Sequence, residues 1–139
     1  MNINERLKKE AQYLSVLYVE DEEDTRKQIS QILELFFQKV FIAKDGLDAI
    51  EVYRYSKADL VMTDLTMPNM DGLTMVKEIK KINNNQHVII LTAHNSSENL
   101  METIDLQLDG FLLKPIKMDK MLELLLKISH MINLEKNEK

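Results

Sequence analysis

Cysteine is absent from this 139-residue chain, and glycine and proline are scarce, with three and two residues. Without cysteine there is no disulfide frame, no thiolate nucleophile and no thiolate-ligated metal site. Three glycines do not build a glycine-rich phosphate loop. No Ser-His-Asp arrangement stands out either. Apolar runs extend over only a few residues, far below the ~20 that span a bilayer. Arg6, Lys8 and Lys9 lie near the start, but no apolar segment of signal-peptide type follows them. Positive charge is also in deficit: 18 Lys and Arg face 23 Asp and Glu, a net charge of -5. A nucleic-acid surface would need a basic stripe. These absences leave a cytoplasmic protein as the expectation, with no membrane insertion and no direct nucleic-acid contact.

What is present is ordinary for one globular domain: 45% hydrophobic and 29% charged residues, over a length sufficient for a real core. The organising stretch is Asp59 to Gly72, D-L-V-M-T-D-L-T-M-P-N-M-D-G. Leu60 to Thr63 is a short apolar run between an Asp and a Pro-Asn turn cluster, the pattern of a buried strand. Pro68 lacks an N–H and restricts Met67, so the strand cannot continue through it. Asp64 therefore stands at a strand's carboxyl end, where open α/β sheets place ligands.

The rest of the chain repeats one rhythm. Residues 2–11 carry Ile3 and Leu7 on one side of an amphipathic helix. This reads as a cap over the core or as the tail of a signalling or dimerising helix. Leu14 to Val19 is a first strand, running into Glu20-Asp21-Glu22-Glu23-Asp24. A helix follows, with Ile29, Ile32, Leu33, Phe36 and Phe37 at helical spacing. Its acidic start suits the helix dipole, which explains Glu22 to Asp24 better than Glu20 and Asp21. Val40 to Ala43 is a second strand and Leu47 to Tyr55 a helix. After the third strand, Gly72 to Ile82 is helical, with Asp71 as its N-cap. His87 to Thr92 is a continuous apolar run, as for a strand covered on both faces, and His87 itself reads as structural. A helix from Asn95 to about Gln107, a strand Gly110 to Leu113 and a helix Lys117 to Leu134 complete the order. β-α five times over implies a parallel α/β sheet with helices on both faces. The organisation expected is a helical extension over 1–13, one domain over 14–134 and a polar tail over 135–139.

In a parallel sheet the strand ends point one way, so Glu20, Asp21, Asp64, Thr92 and Lys114 can converge. Clustered carboxylates repel and call for a cation; a hard divalent ion such as Mg²⁺ suits oxygen ligands. Lys114 offers a charge for a phosphoryl oxygen, and Thr92 a hydroxyl. The set supports a carboxylate nucleophile that accepts a phosphoryl group.

V-E-D after strand one, T-D-L-T-M-P-N-M-D-G at strand three, L-T-A after strand four and F-L-L-K-P at strand five occur together, in order. With these motifs, Ser15 to Ile132 resembles the receiver domains of two-component response regulators. The resemblance implies a doubly wound, five-stranded flavodoxin-like (βα)5 sheet of order 2-1-3-4-5. It implies that Asp64 is the phosphoacceptor, that Asp21 binds Mg²⁺ directly, that Glu20 supports it through water and that Thr66 gives a backbone carbonyl. Thr92 would be the switch hydroxyl, Lys114 the phosphate-binding lysine and Phe111 the switch aromatic, while Thr66 and His94 would tune dephosphorylation. The implied partner is a sensor histidine kinase or phosphotransfer protein. The implied output is the face made by the helix after strand four, strand five and the last helix, used for partners or a homodimer. Such a domain is a phosphoacceptor switch rather than an enzyme. The alternatives are a receiver module cut from a larger signalling protein and a pseudo-receiver that binds without phosphotransfer. Glu20 stands where Asp is also common, Phe111 where Tyr is frequent, and Gln107 where a small-residue turn is usual. The last helix carries extra apolar residues, Leu124, Leu126 and Met131, which suit either a partner face or packing against the N-terminal helix.

Overall fold

A computed structural model describes residues 1–93 and 106–138. The elements are α1 (Ile3–Ala11), β1 (Ser15–Val19), α2 (Glu23–Glu34), β2 (Lys39–Ala43), α3 (Gly46–Ser56), β3 (Leu60–Asp64), α4 (Gly72–Ile82), β4 (His87–Thr92), β5 (Gly110–Leu113) and α5 (Met118–Asn137). All strand pairings are parallel, in the order β2-β1-β3-β4-β5. The expected helix at 95–107 and His94 lie outside the described residues, apart from the turn at Leu106-Gln107. Gln107 adopts a left-handed φ of 57° there.

Period-two alternation divides the strands between two cores. Val16, Tyr18, Leu60, Met62, Ile89, Leu91 and Leu112 face one side, beneath α1, α2 and α5. Leu17, Val19, Val61, Val88 and Ile90 face the other, beneath α3 and α4. This is the doubly wound sandwich, and it explains why the central strands read as unbroken apolar runs.

Side-chain caps set the helix starts. Asn2, Glu22, Asp45 and Asp71 each accept a backbone N–H in the first turn that follows, worth about 1 kcal/mol apiece. The helix after β1 ends sooner than its periodicity implies. It stops at Glu34, and Phe36 and Phe37 reach the core from a tight turn closed by N–H bonds to Leu33 O. The last helix runs past Leu134 to Asn137.

Between the two readings for the extra apolar surface of the last helix, the packing favours the N-terminal helix. Leu7 and Ala11 of α1 are fully buried in the same core as Met121, Leu125 and Ile128 of α5, with Leu126 packed alongside. The Asn133 side chain donates to Glu10 O at 2.7 Å, and His130 Nδ1 lies 3.2 Å from Glu10 Oε1. The Leu124 side chain covers Gly110 of β5. Among the described residues, no helix is long and apolar enough to cross a membrane.

Candidate functional site

Strand register builds the site. Val19, Thr63, Ile90 and Phe111 form one row across β1, β3, β4 and β5. Glu20 and Asp64 therefore leave adjacent strands side by side, on the sheet face that carries Tyr18 and Met62. Both are buried, Glu20 at 1% exposure and Asp64 at 6%. From the end of β5, Lys114 Nζ donates to Asp64 Oδ2 at 2.6 Å and to Glu20 Oε1 at 3.3 Å. Asp21 is exposed beside them. Carboxylate oxygens of Glu20, Asp21 and Asp64 lie within 4.8 Å of one another.

The loops hold these groups from behind. The Arg26 guanidinium, in the first turn of α2, donates to Glu20 O at 2.9 Å and Asp21 O at 3.4 Å. Glu20 Oε2 accepts the Glu22 N–H. Thr66 N–H donates to Asp64 Oδ1 at 3.3 Å, and its side chain is exposed. Thr92 is buried at the end of β4, where its carbonyl accepts the Lys114 N–H at 2.8 Å. Phe111, 38% exposed, stands on β5. Every expected site residue outside His94 thus lies at or beside the carboxyl edge of the sheet.

The electrostatics are unbalanced. Burial pushes the Glu20 carboxyl up, and the nearby Asp64 charge adds to this, against the pull of Lys114. Burial alone would lower the Lys114 ammonium; the hydrogen bond and charges of Asp64 and Glu20 outweigh it and raise it. Three carboxylates against one ammonium leave an excess of negative charge, and a small hard cation would relieve it. The donors are all oxygens, which fits Mg²⁺ and excludes a soft metal preference.

The sequence matches the response regulator receiver domain family over residues 16–126. The chain belongs to this family. As a receiver domain it is 36% identical to the chemotaxis protein CheY of Bacillus subtilis, over 78% of this chain and 91% of that one. It is 34% identical to CheY of Halobacterium salinarum, over 73% and 85%. The N-terminal domain of an uncharacterised Wolinella succinogenes protein superposes with a TM-score of 0.81, at 32% identity, covering 88% of this chain and 98% of that one. CheY in the CheX-CheY-BeF3-Mg complex of Borrelia burgdorferi gives a TM-score of 0.76, at 30% identity, covering 83% and 88%.

Two residues escaped the sequence reading. Gly72 was legible only as a helix start. A Cβ on it would sit 2.3 Å from Asp64 O and 2.9 Å from Leu65 Cα, so a side chain here would displace the backbone of Asp64. Its N–H also donates to Leu65 O at 2.8 Å. The signal was available as the D-G pair after the Pro turn, since close backbone approach is one reason for glycine. Tyr18 was legible only as part of an apolar strand, yet its hydroxyl lies on the Glu20 side of the sheet.

Proposed function

We propose that this receiver domain takes a phosphoryl group onto Asp64 from the phosphohistidine of a sensor histidine kinase or a phosphotransfer protein. It acts in the cytoplasm as a switch rather than a turnover enzyme. The observation that carries this reading is the Lys114 ammonium 2.6 Å from Asp64, within a cluster of three carboxylates at the sheet edge. Asp21 and Asp64 would hold Mg²⁺, with Glu20 in support and the Thr66 carbonyl as a further donor. The bound ion would neutralise charge on the equatorial phosphoryl oxygens. The Borrelia burgdorferi relative forms its complex with BeF3 and Mg, which supports the same donor set here.

In the transfer, an Asp64 carboxylate oxygen forms the new P–O bond as the P–N bond to imidazole breaks. The imidazole leaves and is reprotonated from solvent. Lys114 is already beside Asp64 and exchanges a carboxylate partner for a phosphoryl oxygen. The added charge of roughly -1.5 to -2 draws the Thr92 hydroxyl inward, and Phe111 follows into the space released. Phenylalanine has no hydroxyl to anchor it outside, so the readout is steric. Thr66, beside Asp64, is one tuning position, and His94, two residues after Thr92 in sequence, is the other. Phe111 and Leu113 on β5 and Met118 at the start of α5 expose apolar surface. We assign this surface, with the segment after β4, to partner binding or homodimerisation by population shift.

Incubation with acetyl phosphate and Mg²⁺, followed by phosphoprotein gel mobility, tests the assignment. Asp64→Asn is expected to abolish labelling; labelling at the wild-type level would overturn it.

A further inference from the structure

Tyr18 is fully buried on β1, and among the described residues its hydroxyl has no hydrogen-bond partner. A buried unpaired hydroxyl costs free energy that a phenylalanine in the same space would not. The position of this hydroxyl is informative. Tyr18 and Glu20 are two residues apart on one strand, so their side chains share a face. Tyr18 also pairs in register with Met62, which puts it diagonal to Asp64. Burial and then the charges of Glu20 and Asp64 push the phenol well above its usual range. By strand geometry the hydroxyl lies beside the Glu20 carboxylate, at the margin of hydrogen-bonding range rather than in a formed bond. Glu20 meanwhile spends Oε1 on Lys114 and Oε2 on the Glu22 N–H.

We propose that Tyr18 is a positioning residue for Glu20 when a divalent cation occupies the acidic site. This rests on the reading of that site as a Mg²⁺ site. A cation held by Asp21 and Asp64 would supply the positive charge that Lys114 now gives Glu20, so that Oε1 would be freed from the ammonium. The Tyr18 O–H, waiting beneath, donates to the released carboxylate and holds it toward the ion. Glutamate is one methylene longer than aspartate, so its carboxylate needs such a hold to keep one rotamer. The hydroxyl is unpaired in one state and paired in the other, which makes its cost part of the preference for the loaded state.

Mg²⁺ titration of wild type and Tyr18→Phe, by calorimetry and by tyrosine ultraviolet difference absorbance, tests this. The chain has four tyrosines and no tryptophan, so the spectrum is uncluttered. Tyr13 and Tyr55 are exposed, and Tyr53 bonds Gln86 instead. Wild type is expected to show a Mg²⁺-dependent tyrosine signal that Tyr18→Phe lacks. The variant is expected to bind Mg²⁺ about tenfold more weakly, while its Mg²⁺-free thermal midpoint equals or exceeds wild type. A purely structural tyrosine would move the midpoint down and leave the affinity alone. Affinity within about twofold of wild type, or a wild-type tyrosine spectrum indifferent to Mg²⁺, overturns the role of Tyr18 alone. Failure of wild type to bind Mg²⁺ removes the site reading and this inference together.

Discussion

The two edges of the sheet are both rich in charge, and they treat it in opposite ways. At the carboxyl edge, Glu20, Asp21 and Asp64 face Lys114, while Arg26 spends its guanidinium on backbone carbonyls. At the amino edge the described residues pair off. Asp59 accepts Ser15 N–H at 2.9 Å with one oxygen and meets Lys136 Nζ at 2.9 Å with the other. His87 sits between Asp109 at 3.0 Å and Glu135 at 2.8 Å. Asp109 also accepts the Val88 N–H, and Lys80 donates to Gln86 O at 2.6 Å. One edge is a closed network that ties strands and α5 together. Among the described residues the other keeps a surplus of negative charge, which a cation from outside would satisfy. A cavity of about 1070 Å³ opens at the balanced edge, lined in part by His87, Asp109 and Glu135. Volume alone therefore points away from the chemistry, and charge imbalance points to it.

The contrast can be broken most sharply at Lys114. Lys114→Met leaves two buried carboxylates uncompensated and is expected to lower stability by about 2–3 kcal/mol. Mg²⁺ is expected to restore most of this through binding to the folded state. Urea denaturation with and without Mg²⁺ measures both parts, and an unchanged Mg²⁺-free midpoint would contradict the surplus.

The balanced edge should answer to pH instead. The Asp109 hydrogen bond, with Glu135 and against burial, raises His87 to about 9. The unfolded chain titrates near ~6.5. Since the folded value is the higher one, the stabilisation is complete below pH ~6.5 and is lost as pH rises through about 9. His87→Gln is expected to cost on the order of 1–2 kcal/mol at about pH 6, allowing for screening at half-exposed Glu135. The difference should vanish by about pH 10, as thermal melts across that range would show. A pH-independent gap would mean that His87 acts by packing alone. The smallest effect is expected at Lys136. It is half exposed, so Lys136→Ala should cost less than about 1 kcal/mol and matter less in high salt. A larger, salt-insensitive loss would show that the tie to Asp59 behaves as a buried pair.

How far the sequence was legible follows the same physics. β4, β5 and α4 have the bounds their apolar runs and turn residues imply, because those signals are local, while β3 runs one residue past its apolar run to take in Asp64. Glu20, Asp21, Asp64 and Lys114 can be grouped from the sequence alone, since parallel topology aligns strand ends. The misses are tertiary. Phe36 and Phe37 keep helical spacing from Leu33, but a turn delivers them to the core just as well. The residues after Leu134 read as a polar tail, whereas Glu135 and Lys136 meet partners from β4 and the start of β3. Those partners are invisible to periodicity. Tyr18 looked like any aromatic in a strand, and only the environment of its oxygen sets it apart.

The helix α1 has a consequence for where this molecule divides. Family resemblance begins at residue 16, but Leu7, Ala11 and Leu14 are sealed into the core with Phe36, Phe37 and Ile132. The segment matched to the family and the segment packed into the core are therefore different lengths of chain. Moving residues 16–126 alone into another protein would carry the acidic cluster and Lys114 but leave part of the hydrophobic seal behind, whereas a cut before Asn2 would move both.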